Sequence, residues 1–197
     1  MQSQFSNPAE PRSTAAWALL LASSFVAVQA ATLWFMGLPV ICTCGMLEWW
    51  HGNPSGPETS QHLTDWYTYT HVIHGFGFYL LLWLIAPRLS FAMRLAMAIG
   101  LEAGWEVLEN TPLVMERYRQ SALARGYFGD SVVNSIFDTV ATAVGFALAR
   151  VLPVWISVSV VVAIELFLGL MIRDNFTLNI VQLVYPNEWL SKWQGGE

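Results

Sequence analysis

Apolar residues run in five long stretches along the chain, and a polar or proline-containing segment separates each stretch from the next. Because about 20 residues of α-helix cross the hydrocarbon core of a bilayer, each stretch is long enough to span a membrane. The pattern therefore predicts an all-α fold, an integral membrane helical bundle of about five transmembrane helices. The predicted spans are residues 15–38, 66–86, 91–110, 131–151 and 154–172.

The segments around the spans divide the chain into three parts. Residues 1–14 are polar and are predicted to be a flexible N-terminal tail, and residues 15–185 are predicted to be the multi-pass membrane domain. The amphipathic, Trp-bearing stretch 173–197 is predicted to be an interfacial C-terminal tail. A cleaved signal peptide is the alternative for the first stretch, but its apolar run continues past the processing site at residues 28–30.

The loop between the first two spans gives the orientation. Residues 39–65 contain no Lys or Arg, whereas Arg88 and Arg94 flank the next turn. Since basic residues are retained on the cytoplasmic side of a membrane, we place the first loop outside and the N-terminus inside. Five spans then bring the C-terminus outside.

Composition and charge agree with a membrane protein. Of 197 residues, 55% are hydrophobic and 12% are charged, and the formal charge of -5 includes no basic run. Nucleic acid is therefore excluded as a partner. Cys42 and Cys44 are too close for an unstrained bridge, so no disulfide framework is expected. They are interpreted as small buried residues in a turn, with a soft-metal site that includes His51 as the alternative.

Acids and amides interrupt the apolar helices at helical spacing, so they share one face of each helix. A carboxylate at membrane depth costs several kcal/mol unless it is paired, so these residues are expected to face an interior or a wet cavity. The candidate catalytic residues are His71, His74, Glu102, Glu106 and Asp138.

A second set of residues is predicted to bind substrate. Three arginines lie in the loop before the fourth span, and the planar guanidinium group binds phosphate in bidentate fashion. At least one arginine is expected to fold back toward Glu106 or Asp138, or to hold an anionic ligand over these acids. Asp130 also suits a helix N-cap, and Asn134 suits a bond between helices. The candidate binding residues are Arg117, Arg119, Arg125, Asn110, Asp130 and Asn134.

The order of these residues resembles that of the VanZ-like membrane proteins, which are known for a teicoplanin-resistance member. A His opens one helix, a Glu-bearing helix and an Arg follow, and Asp and Asn open the next helix. The strings SQHLTDWYTYTHVIHGFGFY, EAGWEVLEN, RYRQSALARGYFGDSVVNSIFDT and RDNFTLN resemble an uncharacterised family of bacterial inner-membrane proteins. These resemblances imply a VanZ-like helix arrangement and a multi-pass protein of the bacterial cell inner membrane. They supply no chemistry.

The sequence leaves three classes of function open. The first is a protein that binds or acts on an anionic lipid headgroup or a lipid-linked phosphate. Its histidine and acids would act as general acid and base, or would hold a divalent metal, although no motif such as HExxH is present. The second is a non-catalytic accessory or assembly subunit that docks a partner membrane protein. The third class is a proton-coupled transporter. It is the least favoured, because many such transporters are built from inverted repeats and this chain has none.

Overall fold

The computed structural model describes residues 12–196 and contains helices and loops, with no strand among these residues. The predicted all-α fold is confirmed for this part of the chain, and residues 1–11 of the predicted tail lie outside it. The helices are α1 (Arg12–Phe35), α2 (Thr68–Ile85), α3 (Phe91–Glu109), α4 (Pro112–Tyr118), α5 (Val132–Val151), α6 (Val154–Ile172), α7 (Phe176–Val184) and α8 (Glu188–Gly195).

Four helices are long and apolar enough to cross a membrane, namely α1, α2, α5 and α6. The α3 helix has a similar length, but it carries the charged residues Arg94, Glu102, Glu106 and Glu109. It packs against α1, α2 and α5. The architecture is therefore a helical membrane bundle, and α3 as a fifth span stays a prediction.

Local signals explain where the long helices begin and end. The Ser90 hydroxyl accepts a hydrogen bond from the Met93 N–H at the start of α3, and the Ser131 hydroxyl does the same for Asn134 at the start of α5. The N-cap of α5 is therefore Ser131 and not Asp130 as predicted, because it is the Ser131 hydroxyl that accepts the Asn134 N–H. Pro112 and Pro153 lie where neighbouring helices are separated.

The α2 and α5 helices approach each other closely at two glycines. A Cβ atom at Gly75 would collide with the backbone of Thr142 and Phe146, and one at Gly145 would collide with the carbonyl of Val72. The Thr142 hydroxyl donates a hydrogen bond of 2.9 Å to the His71 carbonyl oxygen next to this contact. Small residues at such a contact let two membrane helices pack backbone against backbone.

Polar side chains tie α1 to the same unit. Gln29 is 1% exposed, its amide nitrogen donates to the Ser135 carbonyl at 3.0 Å, and its amide oxygen accepts from the Thr139 hydroxyl at 3.0 Å. Both ends of the Gln29 side-chain amide are therefore hydrogen-bonded to α5. These two bonds fix the position of α1 along the axis of α5.

Residues 36–67 cap the start of α5. The first amides of this helix have no partner within it, and the N–H groups of Ser131, Val132 and Val133 donate to carbonyls of Ser60, Pro39 and Val40. Asn134 donates from its side chain to the His62 carbonyl at 2.9 Å. The first loop is therefore a structured cover on this end of the bundle.

One end of the bundle has an apolar interior and the other a polar interior. Short turns join α2 to α3 and α5 to α6, and an apolar core of Leu82, Ala98 and Phe146 lies in the half of the bundle near the first of these turns. Since α2 and α5 begin where α3 ends, the other end collects the first loop, α4, α7 and α8. The polar residues of the three helices meet at that end.

We expect Gly145→Ala and Gly75→Ala each to lower the free energy of unfolding by about 1–3 kcal/mol or more, because the added methyl group collides with the backbone of the facing helix. Thermal unfolding of the purified protein in detergent measures this loss. Gly77→Ala is the matched control on α2, since a Cβ atom there meets nothing within 4 Å. Equal melting temperatures for Gly77→Ala and Gly145→Ala would contradict the close crossing.

Candidate functional site

A cavity of about 540 Å³ lies at the polar end of the bundle. Residues from α2, α3, α5 and α7, and from the loops that cover them, surround it. Its polar lining includes Tyr67, His71, His74, Glu109, Tyr118, Tyr127, Asp130, Asp138, Asp174 and Asn179, and its apolar lining includes Phe78, Leu101, Trp105, Leu108, Leu123, Phe176, Ile180 and Leu183. The volume lies within the range of small-molecule sites in proteins.

Two histidines of α2 share one carboxylate of α3. His71 Nδ1 lies 2.5 Å from Glu102 Oε1, and His74 Nδ1 lies 2.9 Å from Glu102 Oε2. Glu102 is 0% exposed and His71 is 5% exposed. An ionised carboxylate only accepts hydrogen bonds, so Nδ1 of each ring carries the proton and Nε2 is left to face the cavity.

Glu106 and Asp138 also lie against the His71 ring, Glu106 beside the same nitrogen as Glu102 and Asp138 beside the opposite nitrogen. Glu106 Oε1 is 3.3 Å from His71 Nδ1, and Asp138 Oδ2 is 3.8 Å from His71 Nε2. Both acids are buried. Neither Glu106 oxygen accepts a hydrogen bond, and neither does Asp138 Oδ1. These two carboxylates differ in this respect from the other acids at this end of the bundle.

Asp130 is held by its neighbours. Asn110 donates to Asp130 Oδ2 at 2.7 Å and accepts from the Asp130 N–H at 2.7 Å, while the Tyr127 hydroxyl donates to Oδ1 at 2.9 Å. Gly129, with a φ of 109°, turns the chain immediately before Asp130. Glu109 hydrogen bonds to Asp130 as well. Asp130 therefore has a structural role in addition to lining the cavity.

Asp65 is a buried acid that the sequence interpretation missed. Its carboxylate accepts from the Ser60 N–H at 2.9 Å and from the Tyr67 N–H at 2.7 Å. Burial raises the pKa of Asp65, and these two backbone hydrogen bonds oppose the rise. The residue fixes the turn that leads into α2, and thereby the position of His71 one turn later.

Asp174, also missed, fastens the tail to the bundle. It accepts hydrogen bonds from the Tyr67 hydroxyl, the Asn175 N–H and the side chains of Asn179 and Gln194, at 2.9 to 3.2 Å. Burial raises the pKa of Asp174 to about 7, although these donors favour the charged form. The network connects α7 and α8 to the residue before α2, so that α7 forms one wall of the cavity.

The predicted catalytic residues lie together. His71, His74 and Asp138 line the cavity, and Glu102 and Glu106 lie directly against the His71 ring. Of the predicted binding residues, Asp130 lines the cavity, Asn110 supports Asp130, and Asn134 donates to the first loop. Glu109 was missed, although it follows Glu106 by three residues and Glu102 by seven, which places it on the same helix face.

The arginines do not follow the prediction. Arg117 and Arg125 are exposed. Arg119 donates to the Tyr127 carbonyl at 2.7 Å and lies 3.5 Å from Glu116. Among the described residues, no arginine or lysine lines the cavity or pairs with Glu106 or Asp138. The fold-back toward these acids is therefore wrong, because α4 and the turn after it direct the arginines outward. The alternative, in which an arginine holds an anionic ligand over the acids, stays a prediction.

One further sequence interpretation is corrected. Cys42 and Cys44 form a disulfide, so the close spacing does not prevent a bridge.

Glu165 is an acid within the apolar helix α6. It accepts from the N–H groups of Phe176 and Thr177 at 2.9 and 3.1 Å and so caps α7.

Five groups of described side chains come close enough to hold a metal ion. Two lie in the first loop, namely Cys42, Cys44, Glu58 and His62, and Glu48, His51 and His62. The other three lie around the cavity. One ligand atom from each of His71, Glu106 and Asp138 lies within 4.8 Å of the other two, and the same holds for the set His71, His74 and Glu102 and for the set Glu106, Glu109 and Asp130. In the second of these three sets both histidines already donate Nδ1–H to Glu102. In the third of them Asp130 is already saturated by Asn110 and Tyr127.

A family model and several relatives match most of the chain. The model described as Protein of unknown function (DUF2585) matches residues 33–196. A UPF0314 protein of Paracoccus denitrificans is 46% identical over 185 residues, which are 93% of this chain and 93% of that protein. A UPF0314 protein of Brucella anthropi is 44% identical over 195 residues, 98% of this chain and 97% of that protein.

A third relative, the UPF0314 protein of Sphingopyxis alaskensis, is 46% identical over 177 residues, 90% of this chain and 94% of that protein. No solved structure matches the chain. The predicted resemblance to an uncharacterised bacterial family is confirmed, and the VanZ-like resemblance stays a prediction.

We expect the stability of the wild type to fall as the pH rises from about 4 to about 7, because folded Asp174 binds its proton more tightly than the unfolded chain does. The free energy gained from this proton is fully present below pH 4 and is lost above pH 7. Melting temperatures across this pH range measure the loss. Asp174→Asn should flatten the profile, whereas the exposed control Glu188→Gln should leave it steep. A profile for Asp174→Asn as steep as that of the wild type would exclude this origin.

Proposed function

We propose that this chain, which belongs to the DUF2585 family, is a membrane protein that binds a membrane amphiphile, with the polar head of the ligand inside the cavity. The observation that carries the proposal is that one cavity is lined both by titratable side chains and by large apolar side chains. His71, His74 and Asp138 line it together with leucines of α3 and α7, and the His74 ring lies 5.0 Å from the Phe176 ring of α7.

The apolar part of the lining supports a ligand with a hydrocarbon portion. Leu101 and Leu108 are 43% and 48% exposed, so they face both the cavity and the outside of the bundle. Ile180 on α7 is exposed as well. An acyl or prenyl chain lying across these residues would remain in the apolar layer while its head group reaches the histidines.

The polar part of the lining supports chemistry on the head group. His74 lines the cavity, and its Nδ1 lies 2.9 Å from Glu102 Oε2, which leaves Nε2 available to a ligand. A histidine oriented by a carboxylate in this way is suited to act as a general acid or base, provided that substrate comes within hydrogen-bonding distance of Nε2. We therefore propose a reaction at the head group, rather than storage or transport of the lipid.

We propose a lipid-linked phosphate or an anionic lipid headgroup as the ligand. The exposed loop arginines Arg117 and Arg125 would attract such lipids to the mouth of the cavity at the membrane surface. They do not line the cavity, however, and its base is acidic. A phosphate group that reaches the base therefore needs a cation to accompany it.

We propose the bacterial inner membrane as the location, with the cavity on the outer side. Two features of the first loop support this orientation. The loop carries no Lys or Arg, and it contains the disulfide between Cys42 and Cys44. Disulfides persist in the oxidising periplasm and are rare in the cytosol.

We expect Gly104→Leu to reduce the amount of lipid that co-purifies with the protein by about tenfold, equivalent to about 1.4 kcal/mol of binding free energy. Gly104 lines the cavity, and a Cβ atom there meets nothing within 4 Å, so the larger side chain fills the cavity without disturbing the backbone. Native mass spectrometry of protein released from mild detergent measures the bound lipid. Gly77→Leu, with equal space but outside the cavity, should bind lipid like the wild type.

We expect deletion of the gene to change the level of one lipid species, and a plasmid carrying His74→Gln to fail to restore it, because His74 is the proposed acid–base group. Lipid extracts analysed by mass spectrometry test this, with Gly77→Leu as the control that restores the wild-type profile. Full restoration by His74→Gln would favour the accessory or assembly role instead, since that role depends on the fold and not on the imidazole.

A further inference from the structure

We propose that His71, Glu106 and Asp138 bind a divalent metal ion, of the class of Mn²⁺ or Zn²⁺, at the base of the cavity. The three residues come from α2, α3 and α5 respectively. One ligand atom of each lies within 4.8 Å of the other two. Metal binding here does not depend on the proposed lipid chemistry, but the use of the ion to hold a lipid phosphate rests on it.

The first argument concerns carboxylate oxygens that lack donors. Glu106 is 0% exposed and Asp138 is 3% exposed. Glu106 Oε1 and Oε2 and Asp138 Oδ1 accept no hydrogen bond within the protein. Burying an ionised carboxylate is costly unless a positive charge or several donors compensate it. A cation between the two side chains supplies that compensation.

The other buried acids at this end of the bundle show what a structural carboxylate looks like in this protein. Asp65 accepts two backbone N–H groups, Asp130 accepts from Asn110 and Tyr127, and Asp174 accepts four donors. Each of these carboxylates has both oxygens satisfied. By contrast, both oxygens of Glu106 and Oδ1 of Asp138 have no hydrogen-bond partner, and Thr68 is the one side chain that hydrogen bonds to Asp138 among the described residues. This difference points to a ligand rather than to packing.

The second argument is the state of the His71 ring. Its Nδ1–H donates a hydrogen bond of 2.5 Å to Glu102 Oε1, so the lone pair is on Nε2. That nitrogen lies 3.8 Å from Asp138 Oδ2. That separation is too long for a hydrogen bond. It can be bridged by a single ion with metal–ligand bonds of about 2.1 Å. Carboxylate, histidine and metal in a row are a common arrangement, in which the carboxylate orients the ring.

The ligand set indicates the class of ion. Two carboxylates favour Mg²⁺, Ca²⁺ and Mn²⁺, whereas an imidazole favours transition metals such as Zn²⁺ and Fe²⁺. A mixed set of one histidine and two acids therefore suits Mn²⁺ or Zn²⁺. Since Asp138 and His71 line the cavity, the remaining coordination positions of the ion face the space that the head group would enter.

The metal resolves a conflict between the acidic base of the cavity and an anionic ligand. Phosphate oxygens would be repelled by Glu106, Glu109, Asp130 and Asp138, and no arginine or lysine among the described residues lines the cavity. A divalent ion reverses the local charge and binds phosphate oxygens directly. The positive charge for the phosphate group, which the sequence assigned to the arginines, would thus come from the metal ion.

The test uses the full chain in detergent, stripped with a chelator and then titrated with MnCl₂ or ZnCl₂. We expect the wild type to retain about one ion per chain after desalting, as a site with three protein ligands and free positions does, and its melting temperature to rise with metal. Glu106→Gln and Asp138→Asn should lose both effects. Glu165→Gln, the same chemical change on α6 where the acid caps α7, should behave like the wild type.

A second measurement separates a lost ligand from a damaged fold. In chelator, Glu106→Gln should melt at or above the wild-type temperature, because the amide replaces a buried carboxyl group whose oxygens lack donors, and added metal should reverse the order. Glu102→Gln should bind Mn²⁺ about 10- to 100-fold more weakly while folding normally, since Glu102 only positions the ring. An unchanged dissociation constant in Glu102→Gln would exclude that positioning role.

The metal proposal is overturned if the wild type binds neither ion, or if Glu106→Gln and Asp138→Asn bind it as the wild type does. Its failure is distinguishable from failure of the proposed function by the cavity variant Gly104→Leu. Metal bound normally by both wild type and Gly104→Leu, with no lipid bound by either, supports the metal site alone. Lipid bound by the wild type without metal supports the cavity alone.

Discussion

The contact between the backbones of α2 and α5 is the constraint on which the polar end of this protein depends. Gly75 and Gly145 leave no room for side chains at the crossing, and His71 lies one turn before Gly75, while Asp138 lies two turns before Gly145. The crossing therefore sets the His71–Asp138 separation before any polar interaction forms. The bond from Thr142 to the His71 carbonyl holds the helices at the same height. Because α3 packs against both helices, its Glu102 and Glu106 side chains come into contact with the His71 imidazole.

The protein keeps several acids inside an apolar bundle, and it compensates them in different ways. Backbone amides serve Asp65, side-chain amides and a phenol serve Asp130 and Asp174, and imidazoles serve Glu102. These solutions are built from the loops and the tail that cover the polar end, so the cover is required for burial of the charges as well as for the shape of the cavity. Among the acids at this end of the described chain, Glu106 and Asp138 are the ones that keep carboxylate oxygens without a hydrogen-bond donor.

Much of this organisation was predictable from the sequence, because helical spacing determines which residues share a face. The stretches around Glu102 and Asp138 predicted buried acids, and the structure brings them to His71 and His74. The arginines were not predictable in this way. Their positions depend on how α4 and the following turn pack, and no periodicity reports this. Asp65 and Asp174 were missed for the same reason, since their partners lie in loops far away in the sequence.

The wall of the cavity that α7 supplies has a consequence for the biogenesis of the protein. During synthesis, α2, α3 and α5 leave the ribosome before α7 exists, so the acids they carry meet without their final cover. Glu165 and Tyr67 have no partner from the tail until the segment from Asp174 onward has been made. The cavity is therefore complete only when the last part of the chain has folded onto the bundle.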